Sequence, residues 1–194
     1  MAASGVLLAA CTSTPQAIGP TAPLSASVAS SAPTPPDPEA DRAPTPYSVA
    51  QLRQALRTGL TYEFLVERPG SRPERKRMVF VVVSDEAATI SSEMLDADGK
   101  SMAPAELETA TWNELRMHAS FPKASTTIAD ERSDTPEGSF ECKRYIVTEH
   151  TPDGEKISTF WFAHDRPGPP VEMRIELRGE TVSTTTLLRL TDGI

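Results

Sequence analysis

The chain has 194 residues, with 27 Asp and Glu against 19 Lys and Arg, a formal net charge of −8 and a sequence pI near 4.9. Such a chain lacks the basic stripe that a phosphate backbone requires, which excludes nucleic acid as a natural partner. The one basic cluster, Arg72, Arg75, Lys76 and Arg77, reads as a solvated hairpin loop, the competing role being contact with anionic lipid head groups.

Met1 to Ala10 is small and apolar, and too short for the roughly 20 residues that span a bilayer. With no Lys or Arg ahead of it, residues 1–11 read as a truncated signal peptide. Residues 12–46 are almost entirely Ala, Ser, Thr and Pro, most proline-dense from Pro33 to Pro38. Proline removes backbone donors and favours extended geometry, and few apolar side chains offset the ordering entropy, so a disordered, semi-extended tether is expected there. Residues 47–194 match one domain of ordinary size, roughly 100–150 residues, large enough to bury a core without staples.

Along that domain, Ser48-x-x-Gln51 is a capping box, Val49, Leu52 and Leu56 share a helical face, and Gly59 is the expected stop. Leu60 to Glu67 alternates Tyr62, Phe64 and Val66 against Thr61, Glu63 and Leu65, a first strand. Arg77 to Ser84 contains a continuous apolar run, Met78 to Val83, which predicts a central strand covered on both faces. Ala88 to Asp96 is a third strand, closed by the turn Asp96-Ala-Asp-Gly99. That turn fails as a calcium loop because Lys100 to Ala103 lack the needed oxygens. A second helix is predicted over 111–119, with the capping box Thr111-x-x-Glu114 and the face Trp112, Leu115, Ala119. Phe121-Pro122 ends it.

Further strands are expected at 125–131, 139–149, 156–163, 171–178 and 181–190, with hairpin turns at Asp153-Gly154 and Gly179-Glu180. Val171, Met173, Ile175 and Leu177 alternate strictly with Glu172, Arg174, Glu176 and Arg178, as in a strand with one face on a core and one in water. The predicted class is α+β, mostly β: a strongly curved antiparallel meander of about eight strands, a half-open barrel, with two short helices on one face.

Leu8-Ala9-Ala10-Cys11 resembles a lipobox, the bacterial signal whose cysteine becomes acylated. Together with the tether and the helix-capped antiparallel sheet, the chain resembles outer-membrane lipoproteins and carriers of the LolA/LolB type, over roughly Tyr47 to Leu190 and by pattern alone. The segments Trp112 to Pro122 and Phe160 to Pro170 are also similar to those of uncharacterised secreted lipoproteins. The resemblance implies a cell-envelope protein held to a membrane through lipid on Cys11, with an apolar ligand or an envelope protein as partner and no cofactor. With Cys11 acylated, Cys142 is the one thiol left, and no internal disulfide can form. Cys142 alternates with Phe140 and Ile146 and reads as a buried small hydrophobe.

The candidate ligand or partner surface is Phe160, Trp161 and Phe162, with Trp112. Trp161 falls on the side of Ile157 and Ala163, and Phe160 and Phe162 fall opposite. Such a strand is either covered by a helix or presents apolar surface to a ligand or partner. Glu114 and His118 stand at i and i+4 but form no HExxH or paired-cysteine pattern, and a surface Glu–His pair is the reading; His164-Asp165 lacks an assignable nucleophile. Catalytic and metal-binding residues are not expected.

Overall fold

A computed structural model describes residues 39–192. The expected signal peptide, Cys11 and the tether up to Pro38 lie outside the described residues.

Both helices start where their capping boxes place them. Ser48 Oγ accepts from the Gln51 amide while the Ser48 amide donates to Gln51 Oε1, and α1 runs Val49–Ala55. Likewise Thr111 caps α2, Trp112–Met117, with its amide 2.7 Å from Glu114 Oε2. α1 ends before Gly59, because Leu56 turns extended and sinks its side chain into the core at 4 % exposure. Gly59 instead takes a positive φ of 85° and donates its amide to Phe80 O.

The strands are β1 (Thr61–Glu67), β2 (Glu74–Val83), β3 (Ala87–Leu95), β4 (Glu106–Thr111), β5 (Thr126–Thr135), β6 (Gly138–Thr151), β7 (Gly154–Ala163), β8 (Glu172–Leu177) and β9 (Glu180–Thr191). They form one antiparallel sheet in the order β4-β3-β2-β1-β9-β8-β7-β6-β5. β1 and β9 pair at the centre, and β4 and β5 are left as edges, so the barrel stays open. The curved, mostly β class holds, with a ninth strand. β4 escaped the periodicity because its apolar residue, Leu107, is 70 % exposed and leaves no buried alternation to read.

The order of side chains along β6 shows how the sheet bends. Phe140 and Cys142 are buried on one face, Tyr145 and Val147 on the other, so the buried side switches across Lys143 and Arg144. Around the first pair the sheet curls back: Ser133 on edge strand β5 donates to Glu172 on β8, 2.9 Å away across two intervening strands. The helices cover the second face. The main core joins Leu52, Leu56, Phe64, Phe80, Tyr145 and Leu187.

Four expectations change. Arg75, Lys76 and Arg77 lie within β2 and not in a loop, because Arg77 bridges Glu63 on β1 and Glu93 on β3, both at 3.1 Å. β2 is not covered twice: Val82 is 56 % exposed beyond a register shift at Phe80, since the helices occupy only one side. The strand buried on both faces is β7, where Ser158, Thr159, Trp161, Phe162 and Ala163 are all inside. The charged side of β8 is only partly open to water: Glu172 accepts from Ser133, and the Arg174 guanidinium lies over the Trp161 ring with its side chain still 44 % exposed.

The packed domain also begins earlier than Tyr47. Arg42 bridges to Pro122, the Ala43 amide donates to Phe121 O at 2.9 Å, and the Lys123 amide returns to Asp41 O at 2.9 Å. Extended proline-rich backbone suits this strand-like pairing, and Ala43 is 5 % exposed. No helix among the described residues is long and apolar enough to cross a membrane.

Candidate ligand cavity under the helices

Between the helices and the sheet lies a cavity of about 280 Å³. Its walls follow from strand parity. Phe160 and Phe162 face it from β7, Met173 from β8, and Met78 and Phe80 from β2. The register pairs Phe160 with Met173 and Phe80 with Ile90, and the β1–β9 pairing joins these two halves of the sheet into one surface. α1 contributes Leu52 with Leu56 just beyond its end, and α2 contributes Leu115 with Ala119 just beyond its end. Of all the lining residues only His118, after α2, has a polar side chain.

The roof over β7 is aromatic. Phe121 stacks on Phe160 with centroids 4.9 Å apart, and Phe162 receives Tyr47 and Tyr145 edge-on at 6.0 and 5.5 Å. Hydrogen bonds fix both tyrosines: Tyr47 Oη donates to Ala163 O at 2.6 Å, and Tyr145 Oη donates to Pro44 O at 2.9 Å. Burial raises both phenols, Tyr145 to about 12. The 39–47 segment thereby straps down the Phe121 end of the lid, with Arg116 on α2 also reaching Glu39 at 2.5 Å.

The Pro167-Gly168-Pro169-Pro170 connection closes one side. A side chain at Gly168 would sit 2.6 Å from Tyr62 Oη, so glycine is required for the loop to approach this closely. Burial pushes Tyr62 up to about 12.

Past Met173 the same sheet face continues into an open groove of about 520 Å³, which also has Met173 in its wall. Here the lining comes from strands, from Arg68 of the β1–β2 connection and from Ala103 and Pro104 of the β3–β4 connection, with no helix above.

Of the four residues singled out from the sequence, Phe160 and Phe162 line the cavity. Trp161 points to the opposite face, where its Nε1 donates to Glu131 Oε1 at 3.2 Å and Glu131 also pairs with Arg144. Trp112 is a core residue, 4 % exposed, whose Nε1 donates to Ser84 O at 3.1 Å and pins α2 to the β2–β3 turn. Met78, Ile90, Phe121 and Met173 went unnoticed as site residues. Met78, Ile90 and Met173 lie in recognisable strands, but only strand register joins them, and Phe121, after α2, joins by stacking on Phe160.

The titratable groups singled out from the sequence do not gather at one place. Glu114 is taken up by capping: the Thr111 amide and hydroxyl hold its carboxyl below the usual range. His164 Nε2 lies 3.2 Å from Asp130, an exposed carboxylate held low mainly by Lys143. Cys142 is fully buried, its thiol pushed up to about 11 by desolvation, the reverse of what a nucleophile needs. Among the described residues no group of three or more His, Cys, Asp or Glu is placed to hold a metal.

No family model matches the chain, and no curated protein matches it. Solved structures that match it include three of low identity. A protein from Bacteroides fragilis described as exported, with a YmcC-like fold, is 10 % identical at a TM-score of 0.46, over 70 % of this chain and 97 % of its own. A protein from Parabacteroides distasonis described as a lipoprotein is 10 % identical at 0.47, over 70 % and 96 %. MucB, solved in complex with MucA(peri), is 14 % identical at 0.46, over 74 % of this chain and 53 % of MucB.

Proposed function

We propose that this is a non-catalytic module of the bacterial cell envelope, anchored through lipid on Cys11, that holds an apolar ligand between its sheet and its helices. The carrying observation is the cavity itself: about 280 Å³, walled by aliphatic and aromatic side chains, with His118 as the single polar one. Small-molecule sites are typically apolar clefts of roughly 300–1,000 Å³ with a few polar groups, and this cavity with its adjoining groove falls in that class. The lipobox-like Leu8 to Cys11 and the Ser/Thr/Pro-rich tether support the envelope assignment.

The test is solvent extraction and lipid mass spectrometry on the full chain carrying Cys11→Ala, purified from the envelope fraction without detergent. A stoichiometric apolar molecule supports the reading. Empty protein that also fails to brighten Nile red sinks it.

A second reading, a tethered protein-interaction module, draws on exposed apolar residues of the β2–β4 region: Leu107 at 70 %, Val82 at 56 % and Met102 at 55 %. Cross-linked envelopes captured with wild-type and Leu107→Asp protein decide it, since identical partner sets would remove Leu107 and edge strand β4 from consideration.

A further inference from the structure

One cation on the helix-covered sheet face stands apart from the rest. Lys76 on β2 is flanked in register by Phe64 on β1 and Met94 on β3, so its stem crosses apolar surface. It is half-buried, lines the open groove, and makes no hydrogen bond or ion pair with any described residue. The other cation lining the groove, Arg68, pairs with Glu74 at 2.6 Å, and Arg77 on the opposite face of β2 bridges Glu63 and Glu93. Two acidic residues also line the groove. Glu93 is the one held by Arg77, and Glu106 is exposed on edge strand β4. A half-buried ammonium over an apolar face lacks the counter-charge that ordinarily offsets its desolvation.

Met173 lines both the cavity and the groove, so the two adjoin at its side chain, and Met78 and Phe80 of the cavity alternate onto the same face of β2 as Lys76. Phe80 at the closed end and Lys76 at the open end are four residues apart on one strand, roughly 13 Å at ~3.3 Å per residue. A ligand filling both must be elongated, apolar at one end and negative at the other.

We propose that the ligand is a single-chain amphiphile with a carboxylate head, its tail in the cavity beside Phe160 and Phe162 and its head on Lys76 Nζ. This rests on the apolar-ligand reading above and specifies it.

The experiment measures displacement of Nile red from the full chain carrying Cys11→Ala by dodecanoate and by dodecanol, in the wild-type background and with Lys76→Gln or Lys76→Arg. A charge-assisted hydrogen bond is worth roughly 1.5–3 kcal/mol, so dodecanoate is expected to bind about tenfold tighter than dodecanol. Lys76→Gln removes that preference by weakening dodecanoate about tenfold and leaving dodecanol unchanged, and Lys76→Arg restores it. Equal binding of both probes, unaffected by Lys76→Gln, overturns the assignment of the head group while leaving an apolar-ligand module. Displacement by neither probe overturns the apolar-ligand reading itself. Thermal melting of each variant identifies loss of fold, and the Arg variant keeps the test decisive if Gln destabilises the strand.

Discussion

Over Phe160 and Phe162 the sheet is roofed by Phe121 and Tyr47, whereas around Lys76 the same face has no helix above it. The roofed end is held from three directions. α1 and α2 cover it, the proline-rich loop at Gly168 presses on Tyr62, and the 39–47 strap fixes Tyr145 and Phe121. The open end has strands, Arg68 of the β1–β2 connection and the Ala103–Pro104 connection. Side chains at one end are therefore tied to stability, and side chains at the other are free to serve a ligand. The contrast can be broken experimentally, beginning with its strongest consequence.

Phe162→Ala should be the most damaging change. The ring is 4 % exposed and packs edge-on against Tyr47 and Tyr145. Truncating a buried phenylalanine costs about 3–5 kcal/mol, to be read from urea unfolding. A loss under about 1 kcal/mol would mean that the roofed end is loosely packed and not core.

Tyr145→Phe keeps the ring and removes only the bond to Pro44 O. A net hydrogen bond contributes about 0.5–1.5 kcal/mol, so about 1 kcal/mol is expected. The same substitution should speed hydrogen exchange at the Ala43 amide, which bonds to Phe121 O in the neighbouring strap. Unchanged exchange there would show that the strap holds without Tyr145.

These two residues also mark what could be read from the chain alone. The capping boxes at Ser48 and Thr111 were visible because both partners lie within four residues. Most strands were visible through alternation and turn residues. β4 was not, since Leu107 faces water, and β2 looked twice-covered because apolar composition does not say how many layers lie beside a strand. The cavity was half legible. Phe160 and Phe162 could be placed on one side of a strand by parity, but Met173 and Ile90 join them through strand pairings and strand order, and Phe121 through a ring stack from the segment after α2. Trp161 and Trp112 were drawn in by their size, and both satisfy their indole N–H groups elsewhere, at Glu131 and Ser84. Lys76 was hidden inside a basic run whose other members face different surroundings.

At the open end the expectation reverses. Lys76→Gln should change unfolding stability by under about 0.5 kcal/mol, as for surface substitutions with no partner to lose. A loss above about 1 kcal/mol would tie Lys76 to the fold and erase the difference between the two ends.

The smallest effect concerns the lid's own hold on pH. α2 carries Leu115 over the cavity, with His118 and Ala119 following it, and it starts at the Thr111–Glu114 capping box. The Thr111 amide and hydroxyl stabilise ionised Glu114 and hold its carboxyl below the ordinary value. A depressed acid contributes stability that is present above its unfolded pKa and lost as pH falls through the folded one. Acidification should therefore loosen the start of α2 with a midpoint below that of a free glutamate side chain, seen as a titrating shift of the Thr111 amide in NMR spectra. Glu114→Gln keeps a capping acceptor without a proton to gain, so it should abolish the titration while preserving the helix. A midpoint at or above the free-glutamate value would mean that the box does not hold the carboxylate in solution, and that the lid is anchored by Trp112 and the strap alone.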